Sequence, residues 1–396
     1  MPNNPPDPKS EKSSHWRTRL IHSAAQIPPG FRSLAPTVYR GSTVVFDKLE
    51  TAYHDWRPGG PSTYGIYGTP TTLQLAARIA ELENARHTFI VPSGMAAITL
   101  IYLAHCKTGS HALAPESAYG NSRDVAEGLL AGLDIEVEFY DPMIGGRLAG
   151  LIRDNTSLVW TETPGSITME VQDVPAIVAA AHARGVAVAL DNTYAAGVLF
   201  DAFAHGVDVS MQALTKYVGG HSDLLLGTVS VNSDAAMQHI GKIYRLLGLS
   251  VSPDDCALAI RGLTTLGVRL TQLEQSTLTI ARWLKARPEI SLVLHPALPD
   301  CPGHDIWKRD FTGSASVFSI VFHDDWTPKR IMRFVDGLKL FKIGYSWGGV
   351  TSLVMAYESL GRKHRNYGRH LVRLNIGLEE PQDLLSDVEQ ALNNAK

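Results

Sequence analysis

The 396-residue chain predicts an α/β fold. It should hold a seven-stranded, mostly parallel sheet with helices on both faces, followed by a smaller C-terminal α+β domain. Two observations carry this. From about residue 70 to 231, short strand-like runs alternate with helix-length runs, and several of the strand-like runs are apolar throughout, as in a sheet covered on both faces. Beyond "RPEI" (287–290) that alternation stops, and strands and helices follow in another order.

The first helix pattern, "TTLQLAARIAELENA" (71–85), puts Leu75, Ile79 and Leu82 on one face. The seven strand candidates are "HTFIVPSG", "SHALAPE", "IEVEFYD", "TSLVWTETP", "GVAVALDNT", "DVSMQALTK" and "LLGTVSVN". Helical patterns separate most of them: "GMAAITLIYLAHC", the stretch from Tyr119 to Leu133, and "DVPAIVAAAHARG", with Asp173 as N-cap and Gly185 as C-cap. A long helix through Leu263, Leu266, Leu270, Leu273, Ile280 and Leu284 leads onward. The strand "ASVFSIVF", a helix around "IMRFVDGL" and a last helix after Pro381 complete the second part. The expected division is an N-terminal arm at 1–68, a sheet domain at 69–264 and a C-terminal domain at 265–396.

Composition excludes several classes. A net charge of -3 with 19% charged residues offers no basic footprint for nucleic acid or an anionic membrane. Cys106, Cys256 and Cys301 are odd in number and lack CxxC spacing, as expected of reduced cytosolic thiols. No apolar run approaches the ~20 residues that span a bilayer. The start, "MPNNPPDPKSEKSS", is Pro-rich and polar with no signal-peptide core, so residues 1–14 are expected to be a disordered tail of a cytoplasmic protein. No metal-binding spacing is present, and the expected substrate is small.

Ligands of such sheets bind at the carboxyl ends of the strands. There "QALTKYVGG" places Lys216 after an alternating run and before a glycine pair. A desolvated ammonium loses proton affinity and can serve as base or carbonyl-capturing amine; a lysine snorkelling from a strand end is the other reading. Asp191 closes the preceding strand candidate and is either a turn or helix-cap residue or a carboxylate facing a cationic ring nitrogen. Amine and carboxylate at neighbouring strand ends suit pyridoxal phosphate: the amine holds the aldehyde, and the carboxylate keeps the ring nitrogen protonated. Ser93, Gly94 and Met95 stand at a strand-to-helix junction, where free amides and the helix dipole favour a phosphate. Thr215 either adds a hydroxyl there or is only a β-branched strand residue.

With these residues assembled, the chain resembles the transsulfuration group of fold-type I pyridoxal-phosphate enzymes, and within it the bacterial cystathionine β-lyases. "LDNTYAAGVLF", "QALTKYVGGHSD", "TETPGSITMEVQDVPAI", "YSWGGVTSL" and "LVRLNIGLE" carry the likeness, from about Thr18 to the end. The resemblance implies that Tyr119 stacks on the pyridine ring and that Arg373 grips the substrate carboxylate, with Ser346 and Trp347 lining the same pocket. It also implies a homo-oligomer, a tetramer built from dimers, in which Tyr64 reaches the neighbouring subunit's phosphate. One position departs from the family pattern. Ile66 stands where a phosphate-binding arginine is usual, and Arg57 is the candidate replacement. The implied activity is α,β-elimination of cystathionine to homocysteine, pyruvate and ammonia in methionine biosynthesis. Alternatives are a cysteine or cystine β-lyase, a cystathionine γ-synthase or γ-lyase, and a non-catalytic cofactor-binding protein.

Overall fold

Strands form where the apolar runs stand. In the computed structural model, which describes residues 15–21, 34–52 and 62–395, they are β1 His87–Val91, β2 His111–Pro115, β3 Glu136–Tyr140, β4 Thr156–Glu162, β5 Ala187–Asp191, β6 Val209–Ala213 and β7 Gly227–Val231. Their order is β1-β7-β6-β5-β4-β2-β3. Pairings from β3 through β6 are parallel, and β7 runs antiparallel to both β6 and β1. Successive β1 side chains show why the sheet needs two helical layers: Ile90 joins one core with Leu75, Leu263 and Leu266, while Phe89 and Val91 join another with Ile98, Ile101 and Ile240.

The helices follow from caps as much as from apolar spacing. The arm contributes α1 Trp16–Ile21 and α2 Leu49–Ala52, and Arg17 ties α1 to Thr271 at 2.6 Å. Then come α3 Pro70–Glu83, capped by Thr69, and α4 Gly94–His105, capped by Ser93. A five-residue helix, α5 Gly120–Asp124, runs into a π-helical segment at Val125–Leu130, so the expected helix over 119–133 is interrupted by wider turns. In α6 Val174–His182 the expected N-cap Asp173 accepts from the Ala176 amide at 3.2 Å. The C-cap is Ala183 rather than Gly185; the glycine takes the left-handed turn two residues later, at φ +67°.

After α7 Asp234–Leu247, α8 Pro253–Lys285 runs unbroken through the expected boundary at 264/265. Its first half packs on the large sheet, and Ile280, Ala281 and Leu284 enter the core of a second sheet. That sheet has the order β10-β11-β12-β9-β8 and contains β8 Ile290–Leu294, β9 Val317–Phe322, β10 Lys342–Ile343, β11 Leu353–Ala356 and β12 Leu371–Asn375. The short α9 His304–Asp310 precedes β9; α10 Pro328–Gly337 and α11 Pro381–Asn394 cover the sheet.

Candidate active site

Strands β4, β5 and β6 end side by side, with Glu162 opposite Asp191 and Asp191 opposite Met211. Strand β6 stops at Ala213. Lys216 therefore lies in the turn beyond the strand, its amide donating to the Ala213 carbonyl at 3.0 Å, because Gly219 and Gly220 let the chain fold back at once. Gly220 has φ +73°, and a Cβ there would overlap the Arg269 guanidinium. Arg269 donates to the Tyr217 carbonyl at 2.6 Å and to Gly262 at 2.8 Å, so α8 holds the turn in shape.

The second sheet completes the surroundings of the amine. Lys216 Nζ donates to Ser346 Oγ at 2.6 Å and stands 5.3 Å from the centre of the Trp347 ring. Ser346 has φ +76°, a conformation uncommon outside glycine and held here by its neighbours. Asn375 on β12 accepts from the Gly348 amide at 2.9 Å and from Ser316 Oγ at 2.8 Å, and the Ser316 amide donates to Tyr217 Oη at 2.9 Å. This chain of bonds joins the 346–348 loop to the lysine turn.

Burial depresses the Lys216 pKa to about 8; the positive charge of Arg373 acts in the same direction, and Asp191 opposes both. Asp191 is buried, and desolvation raises its pKa against the Thr193 hydrogen bonds and the lysine charge; the Thr193 amide donates to Oδ1 at 3.0 Å. Arg373 on β12 is 6% exposed. It donates Nη2 to the Gly344 carbonyl at 3.1 Å and leaves its buried Nε without a partner. An orphaned guanidinium N–H in such a place asks for an acceptor from outside the chain. Tyr119 is half exposed, its hydroxyl pKa raised by burial and by the charges of Glu162 and Asp191.

Ser93 Oγ accepts from the Ala96 amide at 3.0 Å. Its own O–H remains a donor, and the Gly94 and Met95 amides belong to the first turn that a helix cannot satisfy itself. A Cβ on Gly94 would stand 2.9 Å from that of Ala213, and one on Gly227 would strike the Ser93 carbonyl. The start of α4 is thus drawn down beside β6 and the lysine turn. An anion cradle, an amine, a buried carboxylate and an unsatisfied guanidinium fit the phosphate, aldehyde and ring nitrogen of pyridoxal phosphate together with an amino-acid carboxylate.

Two further expected contributors, Thr215 and Tyr64, have their own partners within the chain. Thr215 Oγ1 donates to the Leu226 carbonyl at 3.3 Å and accepts from the Leu226 amide at 3.2 Å, so its hydroxyl proton braces the turn. Tyr64 pairs with Thr43 across an isolated bridge and is 48% exposed, and Ile66 comes near Gly248. Among the described residues no hydrogen bond, ion pair or ring contact joins Tyr64 or Ile66 to Lys216. Arg57 lies outside the described residues, as does the expected tail at 1–14. Glu162 and Asn375 were not singled out from the sequence. Of these Glu162 carried a readable signal, since "TSLVWTE" ends on a carboxylate as "VAVALD" does. A separate group, His111, Glu136 and Glu138, gathers on β2 and the edge strand β3 with Arg153 paired to both carboxylates.

The family model described as Cys/Met metabolism PLP-dependent enzyme matches residues 17–393. Cystathionine beta-lyase of Haemophilus influenzae is 38% identical over 382 residues, which are 94% of this chain and 96% of the relative. An L-alanine/L-glutamate racemase of Wolbachia pipientis is 37% identical over 375 residues, 91% and 92% of the two chains. The crystal structure of metB from Corynebacterium glutamicum matches with a TM-score of 0.89 at 29% identity, covering 97% of this chain and 99% of the other.

Proposed function

The chain belongs to the Cys/Met metabolism PLP-dependent enzyme family, with the fold-type I architecture and pyridoxal 5′-phosphate as cofactor, and we propose that it is a carbon–sulfur β-lyase acting on cystathionine. The observation that carries the reading is the amine at Lys216, its pKa lowered to about 8, between a buried carboxylate and an unsatisfied guanidinium. When bound, the cofactor supplies an aldehyde that captures amines and a ring that draws electrons from the substrate α-carbon. The protein's part falls to four groups. Arg373 orients the substrate carboxylate through Nε and a second N–H, a planar two-point grip. Lys216 Nζ, partly neutral near pH 8, takes the α-proton and returns a proton to the departing thiol. Ser346 Oγ accepts from Nζ at 2.6 Å and so orients it, and the buried Asp191 carboxylate would favour a positive charge on the ring nitrogen of the bound cofactor. The net reaction consumes water and releases homocysteine, pyruvate and ammonia.

Ser93, Gly94 and Met95 are assigned to the phosphate, Tyr119 to the ring face, and Trp347 to the substrate pocket. Thr215 is assigned to the shape of the turn on which the phosphate end rests. A homo-oligomer in which Tyr64 serves the neighbouring subunit is supported by exposed Tyr64, Leu225, Leu246 and Tyr345. A cytoplasmic enzyme is supported by the free, buried cysteines. Among the described residues no helix is long and apolar enough to cross a membrane.

The test is a steady-state comparison of cystathionine, cystine and cysteine with pyruvate as readout. Preference for cystathionine is expected. Preference for cystine moves the assignment to a cystine lyase, 2-oxobutyrate to a γ-lyase, and alanine racemisation without pyruvate to the racemase branch.

A further inference from the structure

We propose that Glu162 is the positioning residue for Tyr119: its carboxyl, one strand over from Asp191, grips the backbone amide where the chain turns into α5 and so sets where the Tyr119 ring stands. The inference deepens the reading of Lys216 and Asp191 as a pyridoxal-phosphate site and rests on it.

The Tyr119 amide donates to Glu162 Oε2 at 2.7 Å. Tyr119 immediately precedes α5 and has no side-chain cap; a first-turn amide needs an acceptor from elsewhere, and Glu162 supplies it. Tyr119 is 42% exposed, so packing holds it only in part and its place depends also on the backbone that carries it. That backbone is clamped from the Glu162 side. The Ser166 amide donates to the Ser117 carbonyl at 2.8 Å, and a Cβ on Gly165 would stand 2.5 Å from Ser117 Oγ. Glu162 is itself fixed, because its amide donates to Gln172 Oε1 at 3.0 Å and it pairs with Asp191 in register.

Desolvation and the neighbouring Asp191 charge push the Glu162 pKa well up, opposed in part by the Tyr119 amide hydrogen bond and then by the Arg362 charge. The Tyr119 amide needs one acceptor oxygen at that place, and a glutamine can supply it as glutamate does. Aspartate keeps the acid but draws its oxygens back by one methylene, and alanine removes the acceptor.

The experiment titrates apo-protein with pyridoxal phosphate for wild type, Glu162→Gln, Glu162→Asp and Glu162→Ala, following cofactor absorbance and the circular dichroism of the bound cofactor. Gln is expected within about twofold of wild type in affinity and with its dichroism. Asp and Ala are expected to bind roughly tenfold or more weakly, as for loss of a buried hydrogen bond to a carboxyl, with an altered dichroic band. If Ala fails to fold, Asp carries the comparison. Asp matching wild type in both readouts overturns the proposal, and so does Gln falling as far as Asp, which would make charge rather than the hydrogen bond the cause. Wild type failing to take up the cofactor overturns the underlying site reading instead.

Discussion

A lysine whose amine is buried should cost the fold stability, and Lys216→Met measures how much. Its pKa falls from 10.5 in the unfolded chain to about 8 in the folded one, a penalty of about 3.4 kcal/mol at 1.36 kcal/mol per unit. Two terms reduce it. The amine is only partly buried, and methionine forfeits the bond to Ser346, worth about 1 kcal/mol. The methionine variant of the apo-protein should then be about 2 kcal/mol more stable than wild type at pH 7, raising Tm by about 2–3 °C for a chain of this length. Because the folded pKa is the depressed one, the lysine's favourable share is complete above pH 10.5 and is lost as pH falls through about 8. The gap between variant and wild type should therefore close from pH 8 to pH 10.5. Scanning calorimetry of the apo-proteins at pH 7 and pH 10 reads it directly. A methionine variant less stable than wild type at pH 7, or a gap indifferent to pH, would refute the account of the depressed amine.

Borohydride treatment of the loaded enzyme should fix the cofactor on Lys216, and peptide mapping that finds another lysine would reassign the amine. Asp191→Asn should fold and bind cofactor yet lose turnover by roughly 10²–10³, the scale of a key electrostatic group; near-normal turnover in a fully loaded variant would remove Asp191 from its role. Arg373→Lys should raise KM about tenfold for cystathionine and cystine alike, whereas an effect on one alone would make Arg373 a selectivity residue. Ile66→Arg should slow cofactor loss on dialysis by about tenfold if the phosphate lacks a cation there. Unchanged loss both in that variant and in Arg57→Ala would take this segment away from the phosphate.

The large sheet was legible because most of its strands carry their burial in composition: all seven strand candidates became strands, and β2 and β7 are buried along their whole length. The second sheet was less so. Strand β10 has two residues, both exposed, and the segment joining β11 to β12 is long and polar, so no period marks them. Lys216 and Asp191 were readable as strand-end polar residues, although the lysine turn was misread as strand since "QALTK" continues the apolar run up to the lysine. The hydroxyl of Thr215 could not be placed in advance, because its partner, Leu226, is eleven residues away across a turn. Asn375 was hidden for a similar reason. Its bonds to Gly348 and Ser316 join segments that sequence separates, and nothing in "RLN" distinguishes it from an exposed strand end.

The lowered pKa of the Lys216 amine is a property of two sheets meeting. At the end of β6 alone, a lysine would extend into water and keep an ordinary pKa. Here β12 brings Arg373, whose charge adds to desolvation, and the loop before β11 brings Ser346 in a left-handed conformation that points an acceptor at Nζ. That conformation costs of order 1–3 kcal/mol in a non-glycine residue. Gly348 follows at φ +82°, where a Cβ would come within 3.1 Å of the Tyr217 amide nitrogen, so the strained loop lies directly against the lysine turn. Ser346→Gly should accordingly relax the backbone while freeing Nζ. If the serine serves the amine and not the loop, the variant should retain or gain thermal stability while its pH–rate profile shifts. A loss of stability with an unchanged profile would mean that Ser346 is there for packing.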